Sequence, residues 1–197
     1  MKISEDIMNQ IKSVGRGNYF TADDFADISS PDTIRQNLSR LAKTGFLVRV
    51  ANGFFHYPEL FVASDITKPV SPTAYMHEYA KKHRFEIMYL DTSIFEMFEV
   101  ENPYKDNMVF LTNGKSRTIR FIDTYDIRLV KTTNVSYFKY KSLHAAALVY
   151  VASRIGKDNL TQKQKVTIKN HFYSKDSSRA IHDLQFAPVW FKEIVRK

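Results

Sequence analysis

Apolar residues recur at Ile3, Ile7, Met8, Ile11 and Val14. Steps of three and four predict an amphipathic helix over the first stretch of the chain. Gly15-Arg16-Gly17 breaks it, and Tyr19-Phe20 reads as short and extended. Thr21, followed by Asp23 and Asp24, places a cap and first-turn acids at the head of a short second helix through Phe25 and Ile28. Ser30 as N-cap and Pro31 at the first helical position open a third helix. Its buried stripe is Ile34, Leu38 and Leu41, and Gly45 supplies the positive φ that stops it. Two short apolar-rich runs follow, Phe46 to Val50 and Phe54 to Tyr57, either side of Asn52-Gly53. That dipeptide is a strong hairpin signal. Helix, helix, helix, hairpin is the order of a winged helix-turn-helix.

Pro58, Pro69 and Pro72 mark a linker, which places a domain boundary near residue 68. The expected domains are 1–67 and 68–197. Ser71-Pro72 starts a helix to about His83. Phe85 to Leu90 reads as a strand, and Thr92 to Phe98 as a short helix. Met108 to Leu111 and Arg117 to Ile122 read as strands on either side of a hairpin turn at Thr112-Asn113-Gly114, and Ile127 to Lys131 as another strand. Leu143 to Ile155 is apolar almost all round, the mark of a buried helix ended by Gly156. Thr161 and Gln164 form a capping-box pattern ahead of a basic helix to about Tyr173. Ala180 to Val195 reads as short helices broken by Pro188. The fold class is therefore α+β: an N-terminal winged helix-turn-helix, then a mixed α+β domain with a small sheet and C-terminal helices.

Composition narrows the function. The chain has 197 residues, 44% hydrophobic and 25% charged, as a globular protein requires. No apolar run approaches the roughly 18 residues that span a bilayer. The start lacks the apolar core of a signal peptide, so a cytoplasmic protein without membrane contact is expected. The absence of cysteine excludes disulfides and thiolate chemistry. The net charge of +8 suggests a polyanionic partner. Its distribution is uneven. Residues 1–70 carry eight basic and eight acidic side chains, whereas residues 71–197 carry 21 and 13. Within the first part, Thr33 to Tyr57 holds Arg35, Arg40, Lys43 and Arg49 and no acid.

That basic stretch coincides with the third helix and the hairpin. With Ile34, Leu38 and Leu41 turned inward, the opposite side carries Asp32, Thr33, Gln36, Ser39, Arg40 and Lys43, with Arg35 on its flank. Gln36 and Arg40 lie four apart and project together. Gln pairs bidentately with adenine and Arg with guanine in a major groove. Thr33, Ser39 and Lys43 suit phosphates, and Arg49 and Asn52 on the hairpin suit phosphate or the minor groove. In the second domain, Lys115, Arg117, Arg120, Arg128 and Lys131 lie on or beside neighbouring strands; Lys115 and Arg117 share one face if the strand begins early enough, and Lys165 and Lys169 stand at i, i+4 on the basic helix. Both pairs suit DNA backbone or an acidic protein.

Other chemistry finds little footing. Gly114-Lys115-Ser116 lacks the first glycine of a phosphate loop, because position 109 is Val. The six histidines include no i, i+4 pair, so no metal and no cofactor is expected. No residue is nominated as catalytic, and no enzyme is expected.

Several blocks resemble a known family. They are Gly15-Arg16-Gly17, Tyr19 to Phe25, Leu38-Ser-Arg-Leu-Ala-Lys-Thr-Gly45 and Asn52-Gly-Phe-Phe-His-Tyr-Pro58, with a later block at Phe110-Leu-Thr-Asn-Gly-Lys-Ser-Arg-Thr-Ile119. Together they look like the AbiEi-type antitoxins of type IV toxin–antitoxin systems, over most of residues 1–155. Thr92 to Phe98 departs from the family pattern between the blocks. The resemblance implies a bacterial repressor of its own operon that counteracts a nucleotidyltransferase-like toxin. The first domain would bind operator DNA and the second would carry antitoxicity. Two alternatives stand beside it: a winged-helix regulator whose second domain senses a ligand or protein, and a nucleic-acid enzyme, which would need converging carboxylates.

Overall fold

A computed structural model describes residues 2–62, 64–104 and 107–196. The fold is mixed α+β, with two small sheets and a run of helices at the C-terminal end. The chain forms two compact units. The first comprises Met1–His83 with Ile119–Asp126, and the second Arg84–Thr118 with Ile127–Lys197. The boundary thus falls after His83 and not near residue 68.

In the first unit, α1 (Lys2–Val14) buries Ile7 and Ile11. Strand β1 (Tyr19–Phe20) leads into a 3-10 helix at Ala22–Phe25, one short turn where the sequence suggested a longer helix to Ile28. The Thr21 N–H and the Asp24 carboxylate, 2.6 Å apart, hold that turn closed. Helix α2 (Pro31–Lys43) starts with Pro31 at its head and buries Ile34, Leu38 and Leu41, as the stripe requires. Ser30 does not cap it through its side chain; its hydroxyl lies 3.0 Å from that of Thr33. Strands β2 (Val48–Ala51) and β3 (Phe54–His56) pair antiparallel about Asn52-Gly53, and β1 adds on the far side of β3. Gly53 takes φ +74°, the left-handed turn position that glycine fills without strain. Ile7, Ile11, Phe25, Ile34, Leu38, Leu47 and Phe55 close the core, each no more than 2% exposed.

Helix α3 (Pro72–Lys82) explains the later boundary. Its Tyr75 ring lies 5.6 Å from Phe54 and 5.4 Å from Phe121, and Tyr79 lies 5.2 Å from Phe54. Lys82 reaches both carboxylate oxygens of Asp24 at 2.6 Å. Aromatic burial of this size outweighs the linker composition that precedes it.

A four-stranded sheet runs in the order β4 (Ile87–Tyr89), β5 (Met108–Thr112), β7 (Tyr125–Lys131), β6 (Arg117–Phe121). The expected hairpin at Thr112-Asn113-Gly114 does not form. Strand β5 pairs with β7 in parallel, Met108 opposite Ile127 through Thr112 opposite Lys131, so β7 lies between β5 and β6. Gly114 has a packing role: a Cβ there would stand 3.2 Å from the Phe85 ring. The true hairpin joins β6 to β7, and its turn residues, Ile122 and Asp123, both have positive φ.

Helix α4 (Ile94–Met97), a 3-10 helix at Val135–Lys139 and α5 (Leu143–Ile155) pack over this sheet around Phe95, Phe98, Leu111 and Leu148. Helices α6 (Gln162–His171), α7 (Ser177–Asp183) and α8 (Val189–Arg196) complete the second unit. The α5 N-terminus is held from α7: the Asp183 carboxylate, fully buried, accepts from the Lys141 and Ser142 N–H groups at 2.9 and 2.6 Å.

Candidate nucleic-acid interface

Once Ile34, Leu38 and Leu41 are buried, 3.6-residue geometry leaves the far side of α2 to solvent. Arg35, Gln36, Ser39, Arg40 and Lys43 line one shallow groove there, of about 330 Å³. All five were nominated from the sequence. Gln36, Arg40 and Lys43 are exposed and Ser39 is half-buried. Among the described residues none of these four side chains has a hydrogen-bond or ion-pair partner. Arg35 differs. Its guanidinium donates to Asp32 at 2.6 Å, an exposed pair that phosphate can displace at little cost. Thr33 is half-buried, engages Ser30 through its hydroxyl, and does not line the groove.

The hairpin presents the other two candidates together. Arg49 donates to the Asn52 side-chain oxygen at 3.0 Å, and both are exposed. A bulge between Arg49 and Ala51 breaks the regular β2–β3 register. Behind the hairpin, His56 is buried beside the Tyr19 ring, 4.5 Å away. Burial holds the His56 imidazole below its ordinary pKa. Burial, then Glu78 and Glu59, push the Tyr19 phenol up to about 12. Both rings are therefore neutral near pH 7, and the positive charge of this surface comes from Arg and Lys alone.

The second-unit candidates do not assemble into one patch. Arg117 begins β6 and Lys115 lies two residues ahead of it, outside the strand, so the two do not share a strand face; both are exposed. Arg120, which falls in the first unit, pairs with Asp126 at 3.2 Å, and Arg128 lies over the Tyr104 ring at 5.5 Å. Lys165 and Lys169 line a separate cleft between α6 and α8 together with Lys157 and Trp190, which the sequence reading did not single out. The available signal was the pairing of Trp190 with Ile194 at i, i+4 on the last helix.

Fold and surface together define a class: an α+β protein carrying a basic helix-and-hairpin face, with no helix among the described residues long and apolar enough to cross a membrane. The chain belongs to the family described as Family of unknown function (DUF6088), which matches residues 6–180. No curated protein and no solved structure matches it.

Proposed function

We propose that the first unit is a winged helix-turn-helix that binds double-stranded operator DNA, α2 entering the major groove and the β2–β3 hairpin serving as the wing. The observation that carries this reading is the α2 groove. Its five lining residues are base-reading or phosphate-binding types, and four of them have no partner within the described protein. A solvated helix face typically mixes both charge signs; here the described lining of the groove holds no acid, and the acid that α2 carries, Asp32, is paired with Arg35. Gln36 and Arg40 then read adenine and guanine, Ser39 and Lys43 hold phosphates, and Arg49 and Asn52 contact the flanking backbone. On the resemblance to AbiEi-type antitoxins, the protein represses its own operon and counteracts a nucleotidyltransferase-like toxin, as a binding protein and not an enzyme. A second reading, a winged-helix regulator with a ligand-sensing second unit, draws support from the cleft at Trp190.

The test is footprinting and quantitative binding on DNA upstream of the gene. Arg40→Ala is expected to weaken specific binding by about 1–3 kcal/mol, the worth of one bidentate base contact, and to relax the preference at one base pair. An unchanged footprint and affinity would remove Arg40 from the interface. Deleting the gene in its native operon is expected to raise transcription of that operon and to unmask toxicity of a neighbouring nucleotidyltransferase; loss of repression without toxicity would favour the second reading.

A further inference from the structure

We propose that the cleft between α6 and α8 of the second unit binds a free nucleotide, with its base against the Trp190 indole and its phosphates between Lys165 and Lys169. The cleft measures about 560 Å³, within the roughly 300–1,000 Å³ of small-ligand sites. Trp190 is half-buried, touches Phe191 edge-on, and its indole N–H has no partner among the described residues. Val166, 46% exposed on α6, and Ile194 complete the apolar lining. Indole and aliphatic surface left open in this way suits the flat face of a base.

The charges divide by ligand part. Lys165 and Lys169 stand one helical turn apart on α6, and Lys157 joins them in the lining. None of the three has a carboxylate partner among the described residues, whereas their neighbour Lys163 is ion-paired to Glu99. Asp158 and Glu193 also line the cleft. Two carboxylates inside it repel a nucleic-acid strand running through, but they accept hydrogen bonds from ribose hydroxyls and from exocyclic amino groups of a base. An aromatic wall, cations for phosphate and carboxylates for sugar or base edge account for the polar and apolar lining together. An acidic helix laid in the groove would leave Asp158 and Glu193 facing like charge. The inference is independent of the DNA-binding reading, since it uses no residue of α2 or the wing.

Trp190 is the single tryptophan of the chain, so its fluorescence reports occupancy directly. The full-length protein is titrated separately with ATP, GTP, CTP and UTP, with a short oligothymidylate and with a Glu-rich amphipathic peptide, correcting for absorbance and repeating by calorimetry. The expected result is saturable quenching by at least one nucleoside triphosphate. Lys165→Glu with Lys169→Glu should weaken it about tenfold or more, the loss of charge-assisted contacts. Both lysines reach solvent, and an unchanged urea midpoint shows that the double variant folds. Arg40→Ala should leave the quenching intact, which separates this site from the DNA surface. No quenching by any of the four nucleotides overturns the proposal. Quenching by the oligothymidylate alone, or by the peptide alone, overturns it in favour of that partner. Quenching that survives the double charge reversal removes the phosphates from α6.

Discussion

The Ile122 N–H donates to the Val50 carbonyl at 2.9 Å. Within the first unit this bond ties the β6–β7 turn to the bulged stretch of β2, and it sets a β-branched residue at φ +46°, which such side chains rarely adopt. Ile122→Pro deletes the donor and demands φ near −65°, so a loss of about 3 kcal/mol or more is expected. Asp123→Gly, exposed at φ +53°, should instead gain up to about 1 kcal/mol by relieving the left-handed conformation. Urea unfolding of both variants checks the pair; equal midpoints would mean that the turn bears no strain and the bond no weight.

Asp183 supplies a second test. Its carboxylate holds the N–H groups of Lys141 and Ser142 and lies 3.0 Å from the His182 Nδ1. Asp183→Asn keeps the shape but replaces one accepting oxygen by a donor that faces N–H groups. A loss of roughly 1–3 kcal/mol is expected, with the N-terminus of α5 exchanging its amide protons sooner. Hydrogen-exchange mass spectrometry of residues 140–148 reads this locally.

Acid should weaken both units through buried imidazoles. His56 and His144 each have a buried Nδ1 without a partner, and burial holds both below the ordinary histidine pKa. The His144 Nε2 already donates to the His171 carbonyl at 3.2 Å, so a second proton must go on Nδ1, where nothing accepts it. The unfolded chain therefore binds protons that the folded chain refuses. Stability is full above about pH 6.5 and falls as the pH drops from there toward the lowered folded-state values. His56→Phe, which keeps the ring beside Tyr19, should flatten this decline. A urea midpoint with the same pH profile as the wild type would clear His56 of any part in it.

Salt separates the two basic regions. If Lys43 holds a phosphate, Lys43→Ala should lower the slope of log affinity against log salt by about 0.9, with little change in sequence preference. Charge reversal at Lys115 and Arg117 should flatten the slope in the same way only if the second unit also touches the backbone. An unaltered slope confines DNA contact to the first unit.

How far these features were legible depends on how far along the chain their causes lie. The α2 surface was readable because one periodic stripe, Ile34, Leu38 and Leu41, fixes the opposite face by helix geometry. The β2–β3 hairpin was readable from Asn52-Gly53. The place of α3 was not, since Tyr75 finds Phe121 only after the chain has left the unit and returned. Nor was the sheet order. The sequence predicts strands at 108–111 and 117–122, but that β5 pairs in parallel with β7 rests on a partner strand farther along the chain than the neighbouring one. The Trp190 cleft arises from two helices that each look ordinary alone.

One arrangement has practical weight for anyone dissecting the molecule. Because Ile119–Asp126 belongs with Met1–His83, no single cut liberates the N-terminal half intact. A truncation after residue 83 would strip Phe121 from Tyr75 and leave Val50 without its Ile122 donor, so a clone ending there would yield sticky, poorly behaved material. Recombination faces the same constraint: transplanting this unit into another protein means moving two stretches of gene at once.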